Sequence, residues 1–88
     1  MSKEKLRESL ERLRSEINIL KEGNDAAKNR INRLITDLEH YVKNLDNNDQ
    51  RTVLLAHIPK LIGELETEHP RITNILNAIM VTLSNMGI

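Results

Sequence analysis

The stretch ITNILNAIMVTLSNMGI, residues 72–88, contains no charged residue and has its apolar side chains at helical spacing. Steps of four and three residues place five of them on one face, and two more widen that face: Ile72, Leu76, Ile79, Leu83 and Met86, with Ile75 and Met80 beside them. A helix that is apolar over so much of its circumference is typical of one surrounded by other helices. We therefore predict an oligomer interface formed by Ile72, Leu76, Ile79, Met80, Leu83 and Met86.

The same spacing runs through the rest of the chain as a heptad seam, a stripe of apolar residues by which one helix packs against another. The seam comprises Leu6, Leu10, Leu13, Ile17 and Leu20, then Ala27, Ile31, Leu34, Leu38, Tyr41 and Leu45, and finally Leu55, Ile58, Ile62, Leu65 and His69 leading into Ile72. No segment alternates polar and apolar residues for the length of a strand. The sequence therefore predicts an all-α fold.

Turn-forming residues divide the helices. Gly23-Asn24-Asp25 offers a helix-ending glycine and two N-cap residues, although a continuous helix through Gly23 would cost only about 1 kcal/mol. Asp46-Asn47-Asn48-Asp49 is the stronger stop, with Asn48 or Asp49 as the expected cap. We predict helices near 2–22, 25–45 and 49–86, arranged as an antiparallel hairpin or coiled-coil-like bundle. If Gly23 does not break the first half, the halves are about 65 and 57 Å long.

Two prolines lie within the third predicted helix. Pro59 and Pro70 either kink one continuous helix toward the same side or each begin a new helix, at a position where the missing N–H does no harm. We expect the helix to be kinked or broken near both, and His69-Pro70 is the stronger candidate for a break.

Length and composition point to a single helical domain, residues 1–88, that needs a partner. The chain has no cysteine and only one aromatic residue, Tyr41, so its core must be aliphatic and no disulfide can reinforce it. Domains of this size are often completed by oligomerisation. We therefore expect a homo-oligomer, with a dimer forming a four-helix-type core as the simplest arrangement.

Charge and hydropathy restrict location and partners. Thirteen basic residues balance thirteen acidic ones, so the chain has no net attraction for nucleic acid or anionic lipid. The opening residues resemble no signal region, and no run of about twenty apolar residues could cross a membrane. We expect a cytoplasmic protein that does not bind a membrane.

Both ends of the chain resemble a family of short bacterial proteins of unknown function. The resembling segments are Ser2-Lys3-Glu4-Lys5-Leu6-Arg7, Glu66-Thr67-Glu68-His69-Pro70-Arg71-Ile72 and Leu83-Ser84-Asn85-Met86-Gly87-Ile88. The middle of the chain resembles the family poorly, and Pro59 departs from its charged helical sequence. The resemblance implies a bacterial, helical, cytoplasmic protein, and it supplies no catalytic or binding residue.

Candidate chemistry is sparse. Glu66-x-x-His69 has the spacing of a di-iron helical bundle motif, but no further inward glutamates complete it, and a polar seam residue more often sets register. His40 and His57 have no ligand partners at suitable spacing. There is no cysteine, no Gly-x-Ser-x-Gly motif and no phosphate-binding glycine loop. We expect no enzyme activity, no catalytic or metal-binding residue and no cofactor.

Two groups of basic residues leave nucleic acid as an alternative partner. One group is small, and the other lies at the start of the chain among glutamates: Lys28, Arg30 and Arg33, and Lys3, Lys5, Arg7, Arg12 and Arg14. Interleaved charges of this kind are typical of a solvated helix face. The leading prediction is a self-associating interaction or scaffold module, and the alternative is a nucleic-acid-associated protein that uses the basic N-terminal face.

Overall fold

The computed structural model describes residues 2–20 and 25–86, which form four α-helices. They are α1 (Ser2–Ile19), α2 (Asp25–Lys43), α3 (Asn48–Leu65) and α4 (Pro70–Met86). No strand occurs in the described part of the chain. The predicted all-α fold is confirmed.

The helices form a closed ring of antiparallel neighbours. Helix α1 packs against α2 and α4, and α3 packs against the same two helices, while no described Cα atoms of the diagonal pairs lie within 8 Å of each other. Ion pairs join neighbouring helices: Arg14 to Glu39, Glu16 to Arg71, and Arg30 to Glu64. The last two each join the second half of one helix to the first half of its neighbour, as expected for antiparallel helices. This is an up-down-up-down four-helix bundle, 38 by 21 by 18 Å. A hairpin about 60 Å long is excluded.

The two prolines behave differently. Of the two alternatives at Pro70, a kink or a break, the structure has the break, because α3 ends at Leu65 and Pro70 is the first residue of α4, so the predicted helix 49–86 is two helices. The His69 carbonyl accepts a bond from the Thr73 N–H at 3.1 Å, which begins the new helix. Pro59 instead lies inside α3, with its ring exposed. Since proline has no N–H, the Leu55 carbonyl loses its usual helical donor on this outer surface.

The stop between α2 and α3 is confirmed, with its cap shifted by one residue. Helix α2 ends at Lys43, two residues earlier than predicted, and α3 begins at Asn48. The N-cap is Asn47, whose side-chain oxygen accepts a bond from the Gln50 N–H at 3.0 Å. This bond satisfies one of the unpaired donors at the start of α3. The predicted break at Gly23 falls on residues 21–24, outside the described residues.

The core is aliphatic, as predicted, and comes from all four helices. Tyr41 is its single aromatic member and is 1% exposed. The buried apolar residues are Leu6, Leu10, Leu13, Ile17, Ile31, Leu34, Ile35, Leu38, Tyr41, Val42, Leu54, Ile58, Leu61, Leu65, Ile72, Leu76, Ile79 and Leu83. Each fully buried aliphatic side chain contributes roughly 1.5–3 kcal/mol. One chain therefore supplies a complete four-helix core.

The predicted seam of α3 is wrong by one residue at two positions. Leu54 and Leu61 are buried, whereas Leu55 and Ile62, which were assigned to the seam, are only partly buried. The prediction carried one four-three rhythm from Leu55 into Ile72. Because the chain leaves the helix after Leu65, α3 is free to turn a different stripe inward.

Candidate interaction surfaces

The six residues predicted to form an oligomer interface lie in or against the core of the single chain. Ile72, Leu76, Ile79 and Leu83 are at most 2% exposed, and Met80 and Met86 pack against the core with part of their surface open. The four buried side chains are covered by α1 and α3, the neighbours of α4. A second chain is therefore not needed to cover the four buried side chains. Self-association itself stays a prediction and needs a different surface.

Helix α3 presents an uncharged side to solvent. Val53, His57 and Lys60 line a cleft shared with α2. Residues two positions further along lie about 200° around the helix and point away from α2. These residues are Leu55, Pro59 and Ile62, and Pro59 is exposed while the other two are partly buried.

Helix α4 continues this uncharged surface. Arg71, Asn74 and Ile75 line a depression shared with α1, so the opposite side of the helix is turned toward α3. That side contains Asn77, Met80 and Ser84, with Val81 pointing straight outward. Val81 is 57% exposed, which is unusual for a large apolar residue in this chain.

Together these residues form what we call the α3–α4 face. It consists of Thr52, Leu55, Pro59, Ile62, Gly63, Asn77, Met80, Val81 and Ser84, none of which is charged. Charged residues border it at the two ends of α3, with Asp49 and Arg51 at the start and Glu66 at the end, and Lys60 lies about one turn before Gly63. Arg51 and Glu66 make no ion pair with another described residue. Such a surface contrasts with a chain in which 30% of residues are charged.

The other half of the bundle is highly charged. The outermost side of α1 bears Glu4, Glu8 and Glu11, all exposed. Arg14, between α1 and α2, lies 3.2 Å from Glu11 and 2.6 Å from Glu39. Much of the predicted basic N-terminal face is therefore either paired or interleaved with acidic groups. This half has the character of an ordinary solvated surface.

A cleft of about 540 Å³ runs between α2 and α3. Its floor includes the buried residues Leu34 and Leu61, and its walls carry Arg33, His57 and Lys60. These three make no ion pair among the described residues, whereas Arg30, at the same cleft, pairs with Glu64. Asp37 supplies an opposing negative charge, so the cleft is only weakly basic.

A smaller cavity of about 320 Å³ lies at the end of the bundle. Ile19, Leu20 and Ile72 make it largely apolar, and His69 and Pro70 form one wall. Ile19 is 65% exposed beside residues 21–24, which are not described.

The predicted weakness of the Glu66–His69 motif has a structural reason. Glu66 is the C-cap of α3, and His69 lies in the connection to α4, so the two residues do not share a helix face. The His69 ring instead has Glu68 at 3.9 Å. No group of three or more potential metal ligands occurs in residues 2–20 and 25–86.

The fold and its surfaces define an up-down-up-down four-helix bundle with one uncharged face. The chain belongs to the family DUF4404, described as a domain of unknown function, whose model matches residues 6–88. This agrees with the resemblance to an uncharacterised family. No curated protein and no solved structure shows significant similarity to the chain. Among the described helices, none is both long and apolar enough to cross a membrane.

Proposed function

We propose that this chain is a non-enzymatic protein-interaction module that docks through the α3–α4 face. The observation that supports the proposal is a continuous surface of nine uncharged residues on a bundle whose other half is charged. Interface cores are depleted in charged residues, because burying an unpaired charge is costly. The resemblance to short bacterial proteins adds the expectation that the module acts in a bacterial cytoplasm.

Docking on this face would bury apolar surface that the fold leaves open. Leu55, Ile62 and Met80 already contact the core on one side and are partly exposed on the other. Each square ångström of apolar surface removed from water contributes about 25 cal/mol. Asn77 and Ser84 could satisfy polar groups of a partner without the cost of desolvating a charge.

Two valine substitutions test the proposal as a matched pair. Val81 lies on the α3–α4 face and is 57% exposed, whereas Val53 lies in the α2–α3 cleft and is 51% exposed. Val81→Asp and Val53→Asp add the same charge at similarly exposed helical positions, so both variants should fold.

The measurement is crosslinking and affinity capture from the native cell, with quantitative comparison of the wild-type chain and both variants. We expect Val81→Asp to lose specific partners that Val53→Asp retains, including captured copies of the chain itself. An identical set of partners for all three proteins would contradict docking through this face.

Nucleic-acid binding remains the second candidate, and the α2–α3 cleft is the observation that favours it. Arg33 and Lys60 stand on opposite walls without ion-pair partners among the described residues. Phosphate contacts release counterions, so such binding must weaken steeply with salt. Retention on DNA that falls with salt and is abolished in an Arg33→Gln/Lys60→Gln variant would support this candidate over the first.

A further inference from the structure

We infer that the partner on the α3–α4 face is a second copy of this chain, related by a two-fold axis that places α3 antiparallel to α3 of the second copy. The inference rests on the proposed function, because it names the occupant of the same face. Four features of the face bear on it: its charge, the register of α3, the position of Asn77 and its area.

The distribution of charge makes the face compatible with itself. A two-fold interface brings the same patch of each subunit together, so a patch with a single-signed charge would repel its copy. The α3–α4 face has no charge at its centre and opposite charges at its two ends, Arg51 and Glu66. A two-fold axis perpendicular to the helices brings the Arg51 end of each copy over the Glu66 end of the other.

The register of α3 fits this reversal. An axis midway between Ile58 and Pro59 places Arg51 opposite Glu66 of the second copy. The same axis places Leu55 opposite Ile62 of the second copy. Thus one symmetry operation pairs both the partly buried apolar residues and the opposite charges. Arg51 and Glu66 are fifteen residues apart, about 22 Å, so the two ion pairs flank the apolar contacts.

Helix α4 places a self-complementary group near the same axis. The two-fold axis passes α3 between Ile58 and Pro59, about 10 Å before the end of that helix. Asn77 lies about 10 Å after the start of α4. Because the chain reverses between the two helices, both points are at the same height in the bundle. An asparagine amide donates and accepts hydrogen bonds, so it can pair with its own symmetry mate.

The size of the bundle is compatible with a dimer. The two largest extents of the bundle, 38 and 21 Å, bound a face of about 800 Å². A standard interface buries about 800 Å² per partner, so a dimer that covered the whole face would reach at most a standard size. We therefore expect an association that is concentration-dependent, with measurable monomer at low concentration.

Charge reversal tests the partner and the orientation together. Arg51→Glu alone places two glutamates opposite each other at both ends of the dimer, and Glu66→Arg alone places two arginines there. Each variant should weaken its own homodimer by about tenfold, since attraction becomes repulsion at two sites. An equimolar mixture restores opposite charges at both ends, so it should form a heterodimer about as stable as the wild-type dimer.

Sedimentation velocity measures the association of the wild type, the two single variants and their mixture. The concentrations run from about 1 to about 500 µM, the range in which modest interfaces associate. Circular dichroism checks that each variant folds. The double variant Arg51→Glu/Glu66→Arg should dimerise like the wild type. Val81→Asp should remain monomeric, whereas Val53→Asp should not.

A wild-type chain that stays monomeric throughout would overturn the inference. If capture from cells is still lost in Val81→Asp, the proposed docking face would nevertheless stand, with a different protein as its partner. Single-reversal variants that dimerise as strongly as the wild type, together with a mixture that associates more strongly than the wild type, would also overturn it, because that result requires Arg51 to face Arg51. Failure of both the dimer and the capture experiment would reject the proposed function as well.

Discussion

The α1–α2 half and the α3–α4 half of this bundle bury their inner faces in the same way and differ on their outer faces. Leu13 of α1 and Leu76 of α4 are both completely buried, and each belongs to a four-three apolar stripe. Outside, α1 carries exposed glutamates and α2 contributes Glu39 to an ion pair, whereas α4 has no charge from Ile72 to Met86. Folding requires only the inner stripes, so the difference between the outer faces needs another explanation. Docking of a partner supplies one.

The largest loss of stability is expected when a charge is placed in the core, and it should be equally large in both halves. Leu13→Glu and Leu76→Glu each bury an unpaired charge in the shared core, which should cost several kcal/mol, comparable with the whole stability of a small domain. Thermal melting by circular dichroism should show that both variants are unfolded or nearly so, as should Ile79→Glu.

Asn77→Glu is the control for these core variants, because Asn77 is exposed next to Leu76. It should change the monomer's free energy of unfolding by about 0.5 kcal/mol or less. If Leu76→Glu were tolerated while Leu13→Glu was not, the two halves would not share one core.

A second prediction concerns the helix geometry of the α3–α4 half. Pro59→Ala should stabilise the bundle by about 1–2 kcal/mol. The substitution restores an N–H donor for the Leu55 carbonyl and removes the proline ring, which crowds that carbonyl in the middle of α3. Chemical denaturation of the monomeric Val81→Asp background measures this without interference from association. A loss of stability would show that the proline ring itself makes needed contacts.

A smaller gain is expected at Gly63. This exposed glycine lies within α3, and a β-carbon added there would meet no atom within 4 Å. Gly63→Ala should therefore stabilise the helix by about 0.5–1 kcal/mol in the same monomeric background. If Gly63→Ala in the otherwise wild-type chain weakens the proposed dimer, the glycine allows close approach of a partner and is not needed for folding.

The smallest effect is expected in the charged half. Arg14 and Glu39 are 43% and 44% exposed, so their ion pair is screened by solvent. Glu39→Gln should cost about 0.5 kcal/mol or less, and the difference from wild type should shrink in high salt. Urea denaturation at two salt concentrations measures it. A loss above 1 kcal/mol would mean that the charged outer face contributes to folding and that the contrast between the halves is overstated.

The apolar periodicity determined the all-α class and the identity of most core residues. The turn at Asp46–Asp49 and the break at His69-Pro70 were also readable, because asparagine caps and first-turn prolines are local effects that depend on a few neighbouring residues. Interior burial of Ile72, Leu76, Ile79 and Leu83 follows from the same local pattern. The sequence did not reveal which chain would cover them.

Only the tertiary structure decided the register of α3 and the position of the uncharged face. Leu54-Leu55 and Leu61-Ile62 are adjacent apolar pairs, so the stripes 54/58/61/65 and 55/58/62/65 both satisfy helical spacing. The choice depends on where α2 and α4 lie around α3, which is a non-local property. Since only one member of each pair can point to the core, Leu55 and Ile62 were left at the surface beside Met80. The adjacent pairs were the one signal in the sequence that some apolar side chains of α3 would remain outside.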